Sequence, residues 1–252
     1  MNAETRERLN ELNRRFYAAN AESFDASRNH PWPGWKRAVA RMEDKRRSEA
    51  FRVLDVGCGN GRFAHFLAAP GLDYLGVDQS SGLLDRAKEK AASGPGIQTE
   101  WLESDILLPS PGSALPPGPF DLVVAFGVLH HVPGLAQRKA VLAEMANRID
   151  ANGYLVFTTW RFADVERFSG HLLSWERYND ESAEPIAAEE LEAGDHLLSF
   201  GAEPGPARYC HHCDDFEFDQ LVEATGLRLV DSYPADGRSG DLNRYAVLQA
   251  PG

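Results

Sequence analysis

The stretch VLDVGCGNGR, residues 53–62, carries an apolar run straight into a turn with glycine at positions 57, 59 and 61. Such a run bounded by glycine reads as a buried strand, and the residues after the turn read as the entrance to a helix. Working outward, further strand-length runs lie at 51–57 (FRVLDVG, which contains the opening run), 73–78 (DYLGVD), 97–105 (IQTEWLESD), 120–128 (FDLVVAFGV) and 153–160 (GYLVFTTW). Helical stretches at 61–69, 80–92 and 134–149 separate them, the second opened by Ser80-Ser81 and the third closed by Asn152-Gly153. Strands alternating with helices build a parallel sheet covered on both faces and joined by right-handed crossovers. After a polar interval, 214–226 reads as a further helix, and LRLVDSYP (227–234) and NRYAVLQA (243–250) as a closing hairpin. The pattern is that of an α/β chain with a seven-stranded, mostly parallel sheet.

With 252 residues and 43% hydrophobic content, the chain has material for one sizeable core rather than several domains. No apolar run approaches the roughly 20 residues of a membrane span, and the polar start MNAETRERLNELNRRF lacks a signal-peptide apolar region. The expectation is a cytoplasmic protein with no membrane partner. Three cysteines, Cys58, Cys210 and Cys213, are too few for a disulfide framework. The net charge of −12 excludes a protein that coats nucleic acid by bulk electrostatics. That charge is uneven: residues 1–50 hold 11 Lys/Arg against 8 Asp/Glu, whereas residues 161–207 hold 3 against 11.

The glycine turn sits between the first strand and the first helix, where open α/β sheets bind ligands. A Walker phosphate loop needs Gly-Lys-Ser/Thr, and Gly61-Arg62-Phe63 supplies neither the lysine nor the hydroxyl. A dinucleotide fingerprint needs its third glycine where Arg62 stands, one residue beyond Gly61. What remains is a nucleoside ligand without phosphates. Asp55, Gly57, Gly59 and Gly61 match the E/D-x-G-x-G-x-G pattern of the class I S-adenosylmethionine-dependent methyltransferases, and the chain resembles that family. The resemblance implies a Rossmann-like fold in which the last strand lies antiparallel between the fifth and sixth. It implies S-adenosylmethionine as cofactor, its methionine part against the loop 57–61 and Asp55 facing its cationic end. It places the ribose on Asp78 with Gln79 beside it, the adenine at Asp105 and Ile106, and the transferable methyl near Phe126. The intact set of Asp55, Asp78 and Asp105 argues against a catalytically silent binding subunit.

The acceptor must be read from the flanks. Phe16-Tyr17, Arg28 ahead of Pro31-Trp32-Pro33, His130-His131 and Arg208-Tyr209-x-His211 resemble, in this order, the methyltransferases that esterify carboxymethylated wobble uridine in tRNA. Two departures stand out: Cys210 replaces the second tyrosine of the R-Y-Y-H element, and the basic insertion of the eukaryotic members is replaced by the acidic segment 161–207. The resemblance implies acceptor contacts at Arg28, His130, His131, Arg208, Tyr209 and His211, with tRNA as partner. The alternative is a small carboxylic or phenolic metabolite enclosed by segment 161–207 as a lid. Eukaryotic members need an activating subunit, a partner this sequence does not indicate. A carboxylate is already a nucleophile at neutral pH, so the enzyme must desolvate and aim it rather than deprotonate it. Arg28 and Arg208 can fork onto it, the histidines can donate to it, and Trp32 or Tyr209 can stack on a base. Cys210, His211, His212 and Cys213 are too close in sequence to close a tetrahedral metal site together, and no metal is expected. The expected organisation is one methyltransferase domain: a helical cap (1–48), a cofactor-binding core (49–160), a helical lid insertion (161–207) and a C-terminal helix with hairpin (208–252).

Overall fold

The opening strand, β1 (Phe51–Val56), is buried at every residue but Arg52 and forms parallel ladders on both sides, with β2 (Leu72–Asp78) and β4 (Phe120–Ala125). The structure, a computed structural model, describes residues 1–27, 30–46, 50–108, 110–201 and 205–252. The sheet continues with β3 (Gln98–Glu103) beside β2 and with β5 (Ile149–Trp160), β10 (Asn243–Gln249) and β9 (Arg228–Ala235) beyond β4. Its order is β3-β2-β1-β4-β5-β10-β9, and β10 runs antiparallel to both neighbours. This is the Rossmann-like strand order that the resemblance implies.

Side chains of a strand alternate between faces, and the two cores follow that period. Leu54, Val56, Val123, Ala125 and Phe157 pack on one face, under α6 (Leu135–Ala146) and α8 (Asp215–Ala224). Val53, Leu122, Val124 and Val156 pack on the other, under α2 (Pro33–Ala40) and α4 (Arg62–Leu67). A register slip of one residue would exchange the two faces, so the pairing is fixed by burial alone. Capping fixes the ends: Ser80 caps α5 (Ser81–Glu89) and Asp214 caps α8, its side chain accepting from Glu217 N at 2.7 Å. The N-terminal cap consists of α1 (Ala3–Ala26), α2 and the short α3 (Glu43–Arg46). No helix among the described residues is long and apolar enough to cross a membrane.

The segment 161–207 corrects one expectation. Rather than a helical insertion, it holds single 3-10 turns, the short α7 (Trp175–Glu181), and strands β6 (Leu172–Leu173) and β7 (Asp195–Ser199). These join β8 (Ala207–His211) in a separate antiparallel sheet, β6-β7-β8. The insertion's sheet therefore reaches to His211, past the expected boundary at 208. Strand β8 is hidden in the sequence because ARYCH is buried on both faces and shows no alternation.

One ionic cluster ties this second sheet to the main body. Arg138 on α6, 1% exposed, donates to Glu217 on α8 at 2.6 Å and to Glu192 of the insertion at 2.5 Å. His211 bridges Asp195 and Glu217, each at 2.7 Å. Removing the cation leaves carboxylates facing one another out of water, so Arg138→Ala is expected to cost about 3–5 kcal/mol in chemical denaturation. A loss below about 1 kcal/mol would show that the cluster is solvated and does not hold the insertion.

Candidate functional site

Strand order reverses between β1 and β4, and the crevice at their carboxyl ends opens into a cavity of about 690 Å³. The loop after β1 is tied to β2 from below: Gly57 N and Cys58 N both donate to Val77 O, at 2.7 and 3.0 Å. Asp78 then accepts from Gly59 N on one oxygen and Ser80 N on the other, each at 2.8 Å. Burial pushes the Asp78 carboxyl above its usual range, against the pull of the backbone N–H groups of Ser80, Gly59 and Gln79. Each oxygen keeps acceptor capacity toward the cavity that Asp78 lines.

The three glycines have different tasks. All have positive φ, of 73°, 54° and 73°. A Cβ at Gly57 would meet Val128 at 2.3 Å, and one at Gly61 would meet Trp101 at 2.6 Å, so both are required by packing. At Gly59 a Cβ would meet nothing within 4 Å. Gly59 lines the cavity, and its missing side chain leaves room there for a ligand rather than for the protein. Gly61 does not line the cavity, which corrects its expected contact with the cofactor: it begins α4 in the left-handed conformation instead.

Asp55, Gln79, Asp105, Ile106 and Phe126 all line the same cavity. Tyr74 donates its hydroxyl to Asp55, and burial pushes the Asp55 carboxyl up to about 7. Asp105 accepts from Leu107 N at 2.8 Å and from Arg14 of α1 at 3.1 Å. Phe126 stands among Trp35, Phe63 and Trp32, with ring centroids 5.6, 4.9 and 6.5 Å away. These groups fit S-adenosylmethionine. Asp78 and Gln79 would hold the ribose, Asp105 and Ile106 the adenine, and the Gly57–Gly59 backbone the methionine part.

The expected acceptor residues separate into two sets. His130, His131 and Arg208 line the cavity together with Tyr17, Trp32, Trp160 and Phe200. Tyr209 and His211 do not, although they flank Arg208 in sequence. Tyr209 is fully buried beside Leu9 and Ile186, its hydroxyl donating to Asp195 at 2.7 Å, so it cannot stack on a base. His211 is held between Asp195 and Glu217, where those carboxylates raise its pKa against the opposing effect of burial. Arg28 lies outside the described residues. Tyr17 carries no signal of its place in the site, since nothing in a lone Phe-Tyr pair tells which ring faces a cavity. His130, His131 and Cys210 place ligand-type atoms within 4.8 Å of one another, as do Glu192, Asp195 and His211. In the first group His131 Nδ1 faces the Tyr209 carbonyl at 3.0 Å, and burial pushes the Cys210 thiol up to about 11.

Comparison with known proteins agrees with this architecture. Residues 54–155 match the family model described as a methyltransferase domain. A protein of Encephalitozoon cuniculi named as a methyltransferase is 33% identical over 147 residues, 58% of this chain and 60% of that protein. The ubiquinone biosynthesis O-methyltransferase of Methylococcus capsulatus is 34% identical over 109 residues, 43% of each chain. The chain thus spans about half the length of these curated relatives. The solved structure of magnesium protoporphyrin IX methyltransferase from Synechocystis with bound SAH superposes with a TM-score of 0.58 at 17% identity, covering 85% of this chain and 80% of that one. Fold and motif order agree with the match of residues 54–155 to a methyltransferase domain.

Two outcomes test the cofactor half of the site. Asp78→Ala removes two acceptor oxygens and is expected to weaken S-adenosylhomocysteine binding by at least 100-fold in calorimetry, on the order of 1.5–3 kcal/mol per charge-assisted bond. Unchanged affinity would remove Asp78 from the ribose. For Asp55, the folded state holds a proton that the unfolded chain releases near pH 4, so native stability falls as pH rises from about 4 to 7. Asp55→Asn should remove that fall. Its stability relative to the parent should therefore increase toward pH 7, and parallel pH profiles would show that Asp55 ionises normally.

Proposed function

We propose that the chain transfers the methyl group of S-adenosylmethionine to a carboxylate oxygen of a small acid with a flat ring. The observation that carries this reading is Arg208. It is 6% exposed, its Nε has no hydrogen-bond acceptor, and no carboxylate pairs with it among the described residues. Its charge lies instead over the rings of Phe16, Trp160 and Phe200, 5.3 to 5.5 Å from their centroids. Arg138 is as deeply buried and has two carboxylates. A buried guanidinium without an anion is costly, and one lining a cavity offers that position to an anionic ligand.

The cofactor, when bound, supplies an electrophilic methyl on a cationic sulfur; the acceptor oxygen's electron pair makes the new O–C bond as the S–C pair returns to sulfur. The chain's own work is desolvation and aim. Arg208 holds the carboxylate, while Trp32, Phe24, Trp160 and Phe200 exclude water and fit a planar group. Proximity and alignment of this kind contribute up to roughly 7–11 kcal/mol in well-oriented reactions. The name of the Methylococcus relative supports an oxygen acceptor.

A tRNA wobble carboxymethyl group is the second reading, supported by the flanking elements around Phe16-Tyr17 and His130-His131. The small acid is favoured because the tyrosine and the histidine of the RYCH element, Tyr209 and His211, are turned into the protein interior. The segment 161–207, with 3 basic and 11 acidic residues, also contributes Phe168, His171, Leu198 and Phe200 to the cavity wall. Incubation with methyl-labelled cofactor and separate pools of small acids and carboxymethylated tRNA distinguishes the two sources. The expected product is an alkali-labile methyl ester in the small-acid pool. Arg208→Gln should reduce its formation at least 100-fold while cofactor affinity stays within twofold. An alkali-stable label, or full activity in Arg208→Gln, would overturn the carboxylate reading.

A further inference from the structure

The charges that line the cavity are sorted by wall. Asp55, Asp78 and Asp105 stand at or just beyond the ends of β1, β2 and β3, on the side that fits the cationic cofactor. Arg62, at the end of the glycine loop, lies over Trp32 and Trp35 and donates to the His30 carbonyl at 3.1 Å. The remaining wall carries Arg208, Arg167 and Arg238. Among the described residues its one carboxylate is Asp236, which is 4% exposed. Asp236 already accepts from Gly34 N at 3.0 Å, Asn243 Nδ2 at 2.8 Å and the Tyr245 hydroxyl at 2.6 Å.

An aromatic surface joins two of these cations. The Arg208 guanidinium lies 5.5 Å from the Trp160 ring centre, Trp160 meets Phe168 edge-on at 5.3 Å, and the Arg167 guanidinium lies 4.6 Å from the Phe168 centre. Both rings line the cavity. Arg208 is at the buried end of this surface, and Arg167, on the 3-10 segment Glu166–His171, is at the exposed end. Arg238 is exposed in the turn between β9 and β10. That turn adjoins the segment of Arg167, because Leu242 and Phe168 pack on one cluster of Trp160, Phe162, Leu198 and Cys210. Neither Arg167 nor Arg238 makes an ion pair among the described residues.

A chain of net charge −12 repels anions on average, and cations at the mouth of a cavity reverse that field locally. An acid with a single carboxylate on Arg208 would leave the two exposed arginines facing water. Resting on the carboxylate reading above, we propose that the acceptor is a dianion. Its reacting carboxylate sits on Arg208, and a second anionic group at the far end of the planar ring system meets Arg167 and Arg238. The two ends differ in physics. The contact at Arg208 is desolvated and little screened, whereas pairs with the exposed arginines are individually weak and fade with salt. Arg167 and Arg238 are in this scheme specificity residues: they draw the acid in and keep its second charge at the mouth while the first is presented to the methyl group.

The test is calorimetric titration of the full chain, saturated with S-adenosylhomocysteine, with two pairs of planar acids: terephthalate against benzoate, and naphthalene-2,6-dicarboxylate against 2-naphthoate. At low ionic strength at least one diacid is expected to bind at least fivefold more tightly than its own monoacid, and the ratio should shrink as salt is added. The double variant Arg167→Gln, Arg238→Gln should bring that ratio to about one. Arg177→Gln removes the same charge from the outer surface of the insertion, away from the cavity, and should leave the ratio as in the parent. Arg208→Gln should weaken all four acids. A ratio of one in both pairs in the parent, or an equal fall in Arg177→Gln and the double variant, overturns this inference and leaves the carboxylate reading standing as long as the acids still depend on Arg208. If their binding ignores Arg208, or none of the four binds, the carboxylate reading fails and takes the inference with it.

Discussion

The two oxygens of Asp78 hold the site in shape. One accepts from Gly59 in the loop after β1 and the other from Ser80 at the start of α5, so a single carboxylate fixes the tips of two neighbouring strands relative to each other. The backbone beneath is already drawn to β2 by the bonds from Gly57 and Cys58 to Val77. Those contacts demand positive φ at consecutive odd positions, which glycine alone adopts without strain. The loop then leaves an open face at Gly59 and closed faces at Gly57 and Gly61. Cavity position and loop conformation arise from the same set of bonds.

Two buried arginines divide the remaining electrostatics. Arg138 is neutralised by Glu192 and Glu217 and joins the insertion to α6 and α8. Arg208 sits on the same strand as His211 of that cluster, yet faces the opposite way, toward aromatic rings and the cavity. Alternation along β8 explains the contrast: Tyr209 and His211 point to the ionic cluster, Arg208 and Cys210 to the other side. The strand thereby separates a paired charge network from a charge that lines the cavity within one residue.

Helix α1 closes the cavity beside His131 and Arg208. Asn13 bonds the backbone N–H of Tyr209, while Tyr17, one turn further, reaches His131 in the turn after β4. Arg14 on the same helix reaches Asp105 in the loop after β3. One helix therefore contacts the second sheet, the turn after β4 and the loop after β3. Its residues Tyr17 and Phe24 line the cavity.

The sheet is legible in the sequence because its signals are local. Apolar runs of strand length, glycines where the chain must turn with positive φ, and Ser80 and Asp214 as caps each depend on a few neighbouring residues. The cofactor half is legible for the same reason: Asp55, Gly57, Gly59, Asp78 and Asp105 sit at strand ends, and the sheet order alone brings those ends to one crevice. The acceptor half is not. Tyr209 and His211 group with Arg208 in the sequence because they are near one another in the chain, but a β-strand sends neighbours to opposite faces, and nothing in the sequence marks ARYCH as a strand. Whether a histidine donates or accepts, and whether a buried arginine has an anion, depends on groups 78 to 196 residues away, as with His131 and Tyr209 or Asn13 and Tyr209. The sequence determined the scaffold and the loop, whose physics is short-ranged; only the tertiary structure decided which charges were paired off and which was left facing the cavity.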